Sequence, residues 1–267
     1  MKYTARIASG RLNEAPRLPG NLIMRVLVTR PEPDASSTKA ALEAAGHSAV
    51  LSPLMIISFM PVNDLGPGGV QAIVVTSRNA VRALAQSPVL QSLVELPVFA
   101  VGKGTARDAH ELGFHGVMEG PGNAAGLVDV ITANASPAGG RLVHFAGYKL
   151  AFDLEGALRT HGFEIFTVRC YEAQAAEKLS DEALADIAKG HLDAVLLMSP
   201  EASRTYVRLI EAAGIAKEAE KIACVCISQA TADALAPFKP AQVKVSSRPN
   251  SEEVLALINR MAEQFGL

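Results

Sequence analysis

The chain has 267 residues, 49% hydrophobic and 19% charged, which is enough apolar material for two cores and too much for one typical domain. A formal net charge of -2 excludes a general nucleic-acid binder, which needs a basic surplus against phosphates, so any anionic partner must be met locally. No run approaches the ~20 continuous apolar residues that span a bilayer, and the three cysteines, Cys170, Cys224 and Cys226, cannot all pair with one another; a soluble, cytoplasmic protein with reduced thiols is expected.

Residues 1–23 lack the apolar core of a secretory signal and scatter Lys2, Arg6, Arg11 and Arg17 among Pro, Gly and Ser without periodicity. They are expected to form a disordered extension, with Met24 as an alternative start and a transit peptide as a second reading. From Arg25 onward, short β-branched runs alternate with alanine-rich helical stretches, the pattern of βα units in a parallel α/β sheet. Strands are predicted at Arg25–Thr29, Ala49–Ile57, Ala72–Thr76, Val98–Val101, Gly116–Met118, Arg141–Phe145, Ile165–Tyr171, Ala194–Met198, Ile222–Ile227 and Val243–Val245. Helices fill most gaps and several close on glycine, at Gly46, Gly113 and Gly214. Period-two alternation puts Cys224 and Cys226 on one strand face, as core rather than ligands.

The strand-helix units recur in order. QAIVVTSRNAVRAL (71–84) matches DAVLLMSPEASRTY (193–206), setting Ala72 on Ala194 and Ser77 on Ser199. VFAVGKGTAR (98–107) matches CVCISQATAD (224–233), setting Thr105 on Thr231; Val117 meets Val243 and Asn123 meets Asn250. The unit Arg141–Gly162 finds its partner at the start of the chain, Arg25 with Arg141 and Gly46 with Gly162, so the order is circular. Circularity predicts two similar parallel-sheet α/β lobes joined by a two-stranded β-ladder, the second lobe inserted in the first. Domain 1 is then 24–49 plus 174–267, the ladder 50–60 plus 164–173, and domain 2 residues 61–163.

In parallel sheets, ligands bind beyond the carboxyl ends of the strands, where helix N-termini present unpaired N–H groups. Ser77, Thr105, Ser199 and Thr231 fall there and are read either as helix caps or as donors lining a cleft between lobes. Arg30, Arg78, Lys103 and Lys149 also follow strands, which suggests a weak, distributed anion site. Tyr171, in the second crossing segment, is either hinge packing or a phenol that reaches the cleft.

Other motifs narrow the field. Gly120-Pro-Gly-Asn-Ala-Ala125 fits a dinucleotide fingerprint but is not the first βα turn, and no acidic residue ends a strand ~20 positions on. There is no phosphate-loop motif and no nucleophile elbow. The six histidines are scattered without short pairing, so neither a metal nor a cofactor is expected.

The landmarks RVLVTRP, VVTSRNAV, VFAVGKGTA, GNAAGL, RLVHFAG, LRTHGFEIFTVRCYEA, LLMSPEAS and TADAL follow in an order and spacing that resembles the uroporphyrinogen-III synthases. The resemblance implies a lyase that closes the linear tetrapyrrole hydroxymethylbilane into uroporphyrinogen III, inverting ring D and losing water, for haem, sirohaem, cobalamin or chlorophyll formation. It also implies hand-over of the substrate by hydroxymethylbilane synthase, a monomer, and carboxylate binding through backbone N–H groups and hydroxyls corresponding to Ser77, Thr105, Ser199, Ser228 and Thr231, with Tyr171 as the family's hinge tyrosine. The chain departs from the pattern at Lys149, where many members carry arginine nearby, and at Ser228, often a glycine. A non-catalytic anion- or porphyrinogen-binding module and a dinucleotide-dependent oxidoreductase are the competing readings.

Overall fold

The computed structural model describes residues 23–65 and 68–265. The extension expected over 1–23 lies, apart from Ile23, outside them. In chain order the elements are β1 (Arg25–Val28), α1 (Asp34–Ala44), β2 (Ser48–Leu51), β3 (Met55–Phe59), β4 (Val70–Val75), α2 (Arg78–Ala85), β5 (Val98–Ala100), α3 (Lys103–Glu111), β6 (Val117–Glu119), α4 (Ala124–Asn134) and β7 (Arg141–Gly147). They continue with α5 (Leu154–Thr160), β8 (Ile165–Ala175), α6 (Asp181–Lys189), β9 (Ala194–Leu197), α7 (Pro200–Ala212), α8 (Ala216–Ala219), β10 (Ala223–Cys226), α9 (Gln229–Asp233), β11 (Val243–Val245) and α10 (Ser251–Phe265). The chain divides into two compact units: the segment up to Leu54 with that from Ala175 onward, and Met55–Gln174.

One expected strand is two. The run Ala49–Ile57 breaks at Ser52-Pro53-Leu54, because Pro53 has no N–H to place in a ladder. β2 completes the sheet of the first unit, whereas β3 belongs to that of the second. β3 and β8 are neighbours, as the ladder requires, and they continue into that second sheet as its edge.

The first unit's sheet runs β11-β10-β9-β1-β2 and the second's runs β3-β8-β7-β4-β5-β6. Read from β6, the second order reproduces the first element by element, and the registers agree as well. Val28 lies beside Leu196 as His144 lies beside Val74, and Cys224 lies beside Val243 as Val98 lies beside Val117. These are the residues that the internal similarity equates, and all the pairings named are parallel.

Alternating side chains feed two cores per unit. In the first, Leu27, Val195, Leu197, Cys224 and Cys226 pack against Ile187 of α6 and Tyr206 and Ile210 of α7. The opposite face, Val26, Val28, Leu196 and Val225, packs against Leu42 of α1 and Ile258 and Met261 of α10. In the second unit, Ile73, Val75, Val143 and Phe145 face α2 and α3, and Val74, Phe99 and Leu142 face Leu127 and Ile131 of α4 and Leu158 of α5. Each such fully buried aliphatic side chain stabilises the fold by about 1.5–3 kcal/mol. Burial pushes the thiols of Cys170, Cys224 and Cys226 up to about 12, so all three are protonated packing groups.

Candidate active site

Strand ends and helix starts meet as the sequence rules require. Ser77 caps α2 by accepting from the Asn79 N–H at 3.1 Å, and Asn123 caps α4 by accepting from the Gly126 N–H at 2.8 Å. In the first unit, Ser199 caps α7 (3.1 Å from the Ala202 N–H), Ser228 caps α9 (3.3 Å from the Thr231 N–H), and the Asn250 side chain accepts from the Glu253 N–H at 2.8 Å at the start of α10. Thr105 and Thr231 do not open their helices. The caps are Gly102 and Ser228, and both threonines are buried three residues further on. The Thr231 hydroxyl is held by that of Ser228 at 3.0 Å.

The cations divide in the same way. Arg30 is tied to Asp34 at 2.9 Å and to Ser251 at 2.8 Å, and Arg78 clasps both carboxylate oxygens of Asp108 at 2.6 and 3.0 Å. Lys103 is exposed on the first turn of α3, and Lys149 is exposed after β7.

A cavity of about 560 Å³ opens within the second unit at the carboxyl ends of β4, β5 and β7. Its walls come from three sources. The Gly122–Ala125 loop presents the start of α4; the segment Lys149–Phe152 supplies Leu150, Phe152 and the Lys149 ammonium; and Thr76, His144 and Tyr171 form a polar wall. Of the residues singled out in sequence, it gathers Lys149 and Tyr171. Thr76, Asn123 and His144 complete it, and they were not singled out. Thr76 sits next to Ser77, so the strand-end rule would have found it; His144 is concealed in an unbroken buried strand.

Close approaches shape the cavity. Gly147 leaves room for Tyr171: a Cβ there would lie 2.7 Å from the ring carbon that bears the hydroxyl. Gly120 would meet Leu127 at 2.7 Å, and Gly122 adopts φ 97°, so the glycines of the fingerprint-like loop serve its tight path against β5. Burial raises the Tyr171 phenol above its ordinary value against the opposing hydrogen bond to Ser77, so it stays protonated at neutral pH. Burial, helped by the Arg169 charge, holds His144 down at about 4, so its imidazole is neutral. Its Nε2 lies 2.9 Å from the Thr76 hydroxyl.

The wall is therefore uncharged and donor-rich, with positive potential supplied by Lys149 and the α4 N-terminus. The family described as uroporphyrinogen-III synthase HemD matches residues 36–256, most of the chain. The chain belongs to the uroporphyrinogen-III synthase family. Uroporphyrinogen-III synthetase of Helicobacter pylori superposes with a TM-score of 0.61 at 16% identity, over 90% of this chain and 100% of that one. A mutant uroporphyrinogen III synthase of Thermus thermophilus gives 0.51 at 19% identity, over 91% and 99%. These likenesses share the two-domain α/β fold. No curated protein matches closely enough in sequence to count as a relative. Family membership makes this an enzyme of tetrapyrrole biosynthesis, and no helix among the described residues is long and apolar enough to cross a membrane.

Proposed function

We propose that the chain acts as a cyclising hydro-lyase on hydroxymethylbilane and that the cavity of the second unit holds the reacting end of that substrate. The carrying observation is the coincidence of the protonated Tyr171 phenol, the Lys149 ammonium and the open start of α4 around one apolar-walled space. In this reading a pyrrole ring rests against Leu150, Phe152 and Leu154, and its acidic arms are met by Lys149 and the helix N–H groups, all of which border the cavity.

In the proposed reaction the terminal C–O bond breaks as a pyrrole nitrogen pushes in its electron pair. The hydroxyl takes a proton from the Tyr171 phenol, which burial keeps protonated until that point, and leaves as water; the proton lost when the ring rearomatises returns to the phenolate. The substituted carbon of ring D then attacks the exposed carbon to give a spiro intermediate; one C–C bond breaks, another forms, and loss of a proton restores the aromatic ring. Direct closure yields the uninverted isomer without help, so the protein's task is to hold ring D where inversion is the shorter path. Arg30, Arg78, Lys103, Ser77, Thr105, Ser199, Ser228 and Thr231 are proposed to contribute to carboxylate binding, the buried threonines by fixing the caps. Action as a cytoplasmic monomer receiving substrate from hydroxymethylbilane synthase belongs to the same proposal.

Isomer-resolved product analysis after incubation with hydroxymethylbilane is the test. Uroporphyrinogen III is expected; only the uninverted isomer, at the spontaneous rate, would reduce the chain to a binding module.

A further inference from the structure

His144 is a buried group that the reaction scheme does not use. It is 1% exposed and lines the cavity, yet its Nδ1 is shut off from solvent with no hydrogen-bond partner. A buried polar atom left unsatisfied costs about 1–3 kcal/mol, so its presence calls for a reason. The fold does not supply one. The matched positions in the first unit are Val28 for His144 and Met198 for Thr76, in the same strand register, and that sheet is closed without a polar pair.

The hydrogen bond between His144 and Thr76 bears on the orientation of a hydroxyl. A neutral imidazole carries one proton. Were it on Nδ1, a buried N–H would have no acceptor, whereas on Nε2 it is donated to the Thr76 Oγ1 at 2.9 Å and only a lone pair goes without a partner. Orphaned N–H groups are the rarer of the two defects in folded proteins. With its oxygen engaged as acceptor, Thr76 turns its own proton toward the cavity that it lines.

We infer that His144 is a positioning residue: its Nε2–H fixes the Thr76 hydroxyl as a hydrogen-bond donor to a carboxylate of the ligand bound in the second unit. The ligand class rests on the synthase reading above; the proton placement does not.

Two measurements on the full chain separate the two. In nitrogen-15 histidine spectra, the resonances lost in His144→Gln identify the residue. They are expected to show a protonated Nε2 and a bare Nδ1, and the reverse tautomer would overturn the proposal. In the isomer-resolved assay, His144→Val and Thr76→Val are each expected to raise KM for hydroxymethylbilane about tenfold, one hydrogen bond to a charged acceptor, with kcat little changed. The double variant should be no worse than the poorer single one. His144→Gln, which keeps a donor N–H, should recover most of the loss. Unchanged KM, additive losses or equal damage from Gln and Val would overturn it. Absence of turnover in the wild-type chain would remove the synthase reading alone, and the nitrogen spectra would still decide the tautomer.

Discussion

The two units share strand order, register and two pairs of helix caps, Ser77 with Ser199 and Asn123 with Asn250, yet at the carboxyl ends of their strands they differ in kind. Where the first unit has Val28 in β1 and Met198 just after β9, the second has His144 in β7 and Thr76 just after β4, and the position matched to Pro31 is Gly147 at the end of β7, leaving space for the Tyr171 ring. Both units neutralise a strand-end arginine locally, Arg30 against Asp34 and Arg78 against Asp108, but the second also has Lys149, exposed at the rim of the cavity. A duplicated fold has thus kept its packing in both copies while the second places an uncompensated polar atom, His144 Nδ1, beside a cavity at its strand ends. Natural proteins tolerate such groups where function depends on them.

Several measurements would break or sharpen that contrast. The largest effect concerns pH. His144 binds a proton near 6.5 when unfolded but only near about 4 when folded, so the unfolded state holds more protons between those values. Stability is therefore complete above pH 6.5 and falls as the pH drops toward 4, by on the order of 3 kcal/mol. Denaturant unfolding across this range should show the slope, and His144→Val, the first unit's residue, should flatten it. Next, Gly147→Ala drives a Cβ into the Tyr171 ring and should destabilise by about 1–3 kcal/mol through overpacking, with loss of turnover beyond the loss of folded protein.

Smaller effects belong to the first unit. Arg25 pins β1 to α6 through Asp186 at 2.6 Å and Glu182 at 2.8 Å, both at least partly solvated on the arginine side. Arg25→Ala should cost about 1 kcal/mol in thermal unfolding, and less at high salt. The Tyr206 hydroxyl is buried with no partner against Phe238 and the β10 thiols, so Tyr206→Phe should be neutral or stabilising by up to about 1 kcal/mol, without change in activity.

The duplication was legible because a serine after a strand and a threonine within the next helix recur at matched spacing, and register follows once those strands are set side by side. What escaped was decided by contacts distant in sequence. The break at Pro53 depends on which sheet each half joins, and alternation continues smoothly through it. Thr105 and Thr231 were placed one turn early because Gly102 and Ser228, not the threonines, take the extended backbone of the cap. His144 reads as one more scattered histidine until β7 lies beside β4 and brings Thr76, 68 positions away, to its Nε2. Lys149 stands out in the sequence by its place after a strand and Tyr171 by its place in the second crossing segment, and both line the cavity.

The central claim is that the second unit's cavity steers ring closure, and Tyr171→Phe tests it most directly. The variant keeps the ring that packs on Gly147 and removes only the proton donor. Isomer-resolved product analysis is predicted to show turnover reduced by roughly 10²-fold or more, the size of a general-acid contribution, with the uninverted isomer dominating as spontaneous closure overtakes the enzyme. Full turnover with uroporphyrinogen III as the sole product would contradict the account.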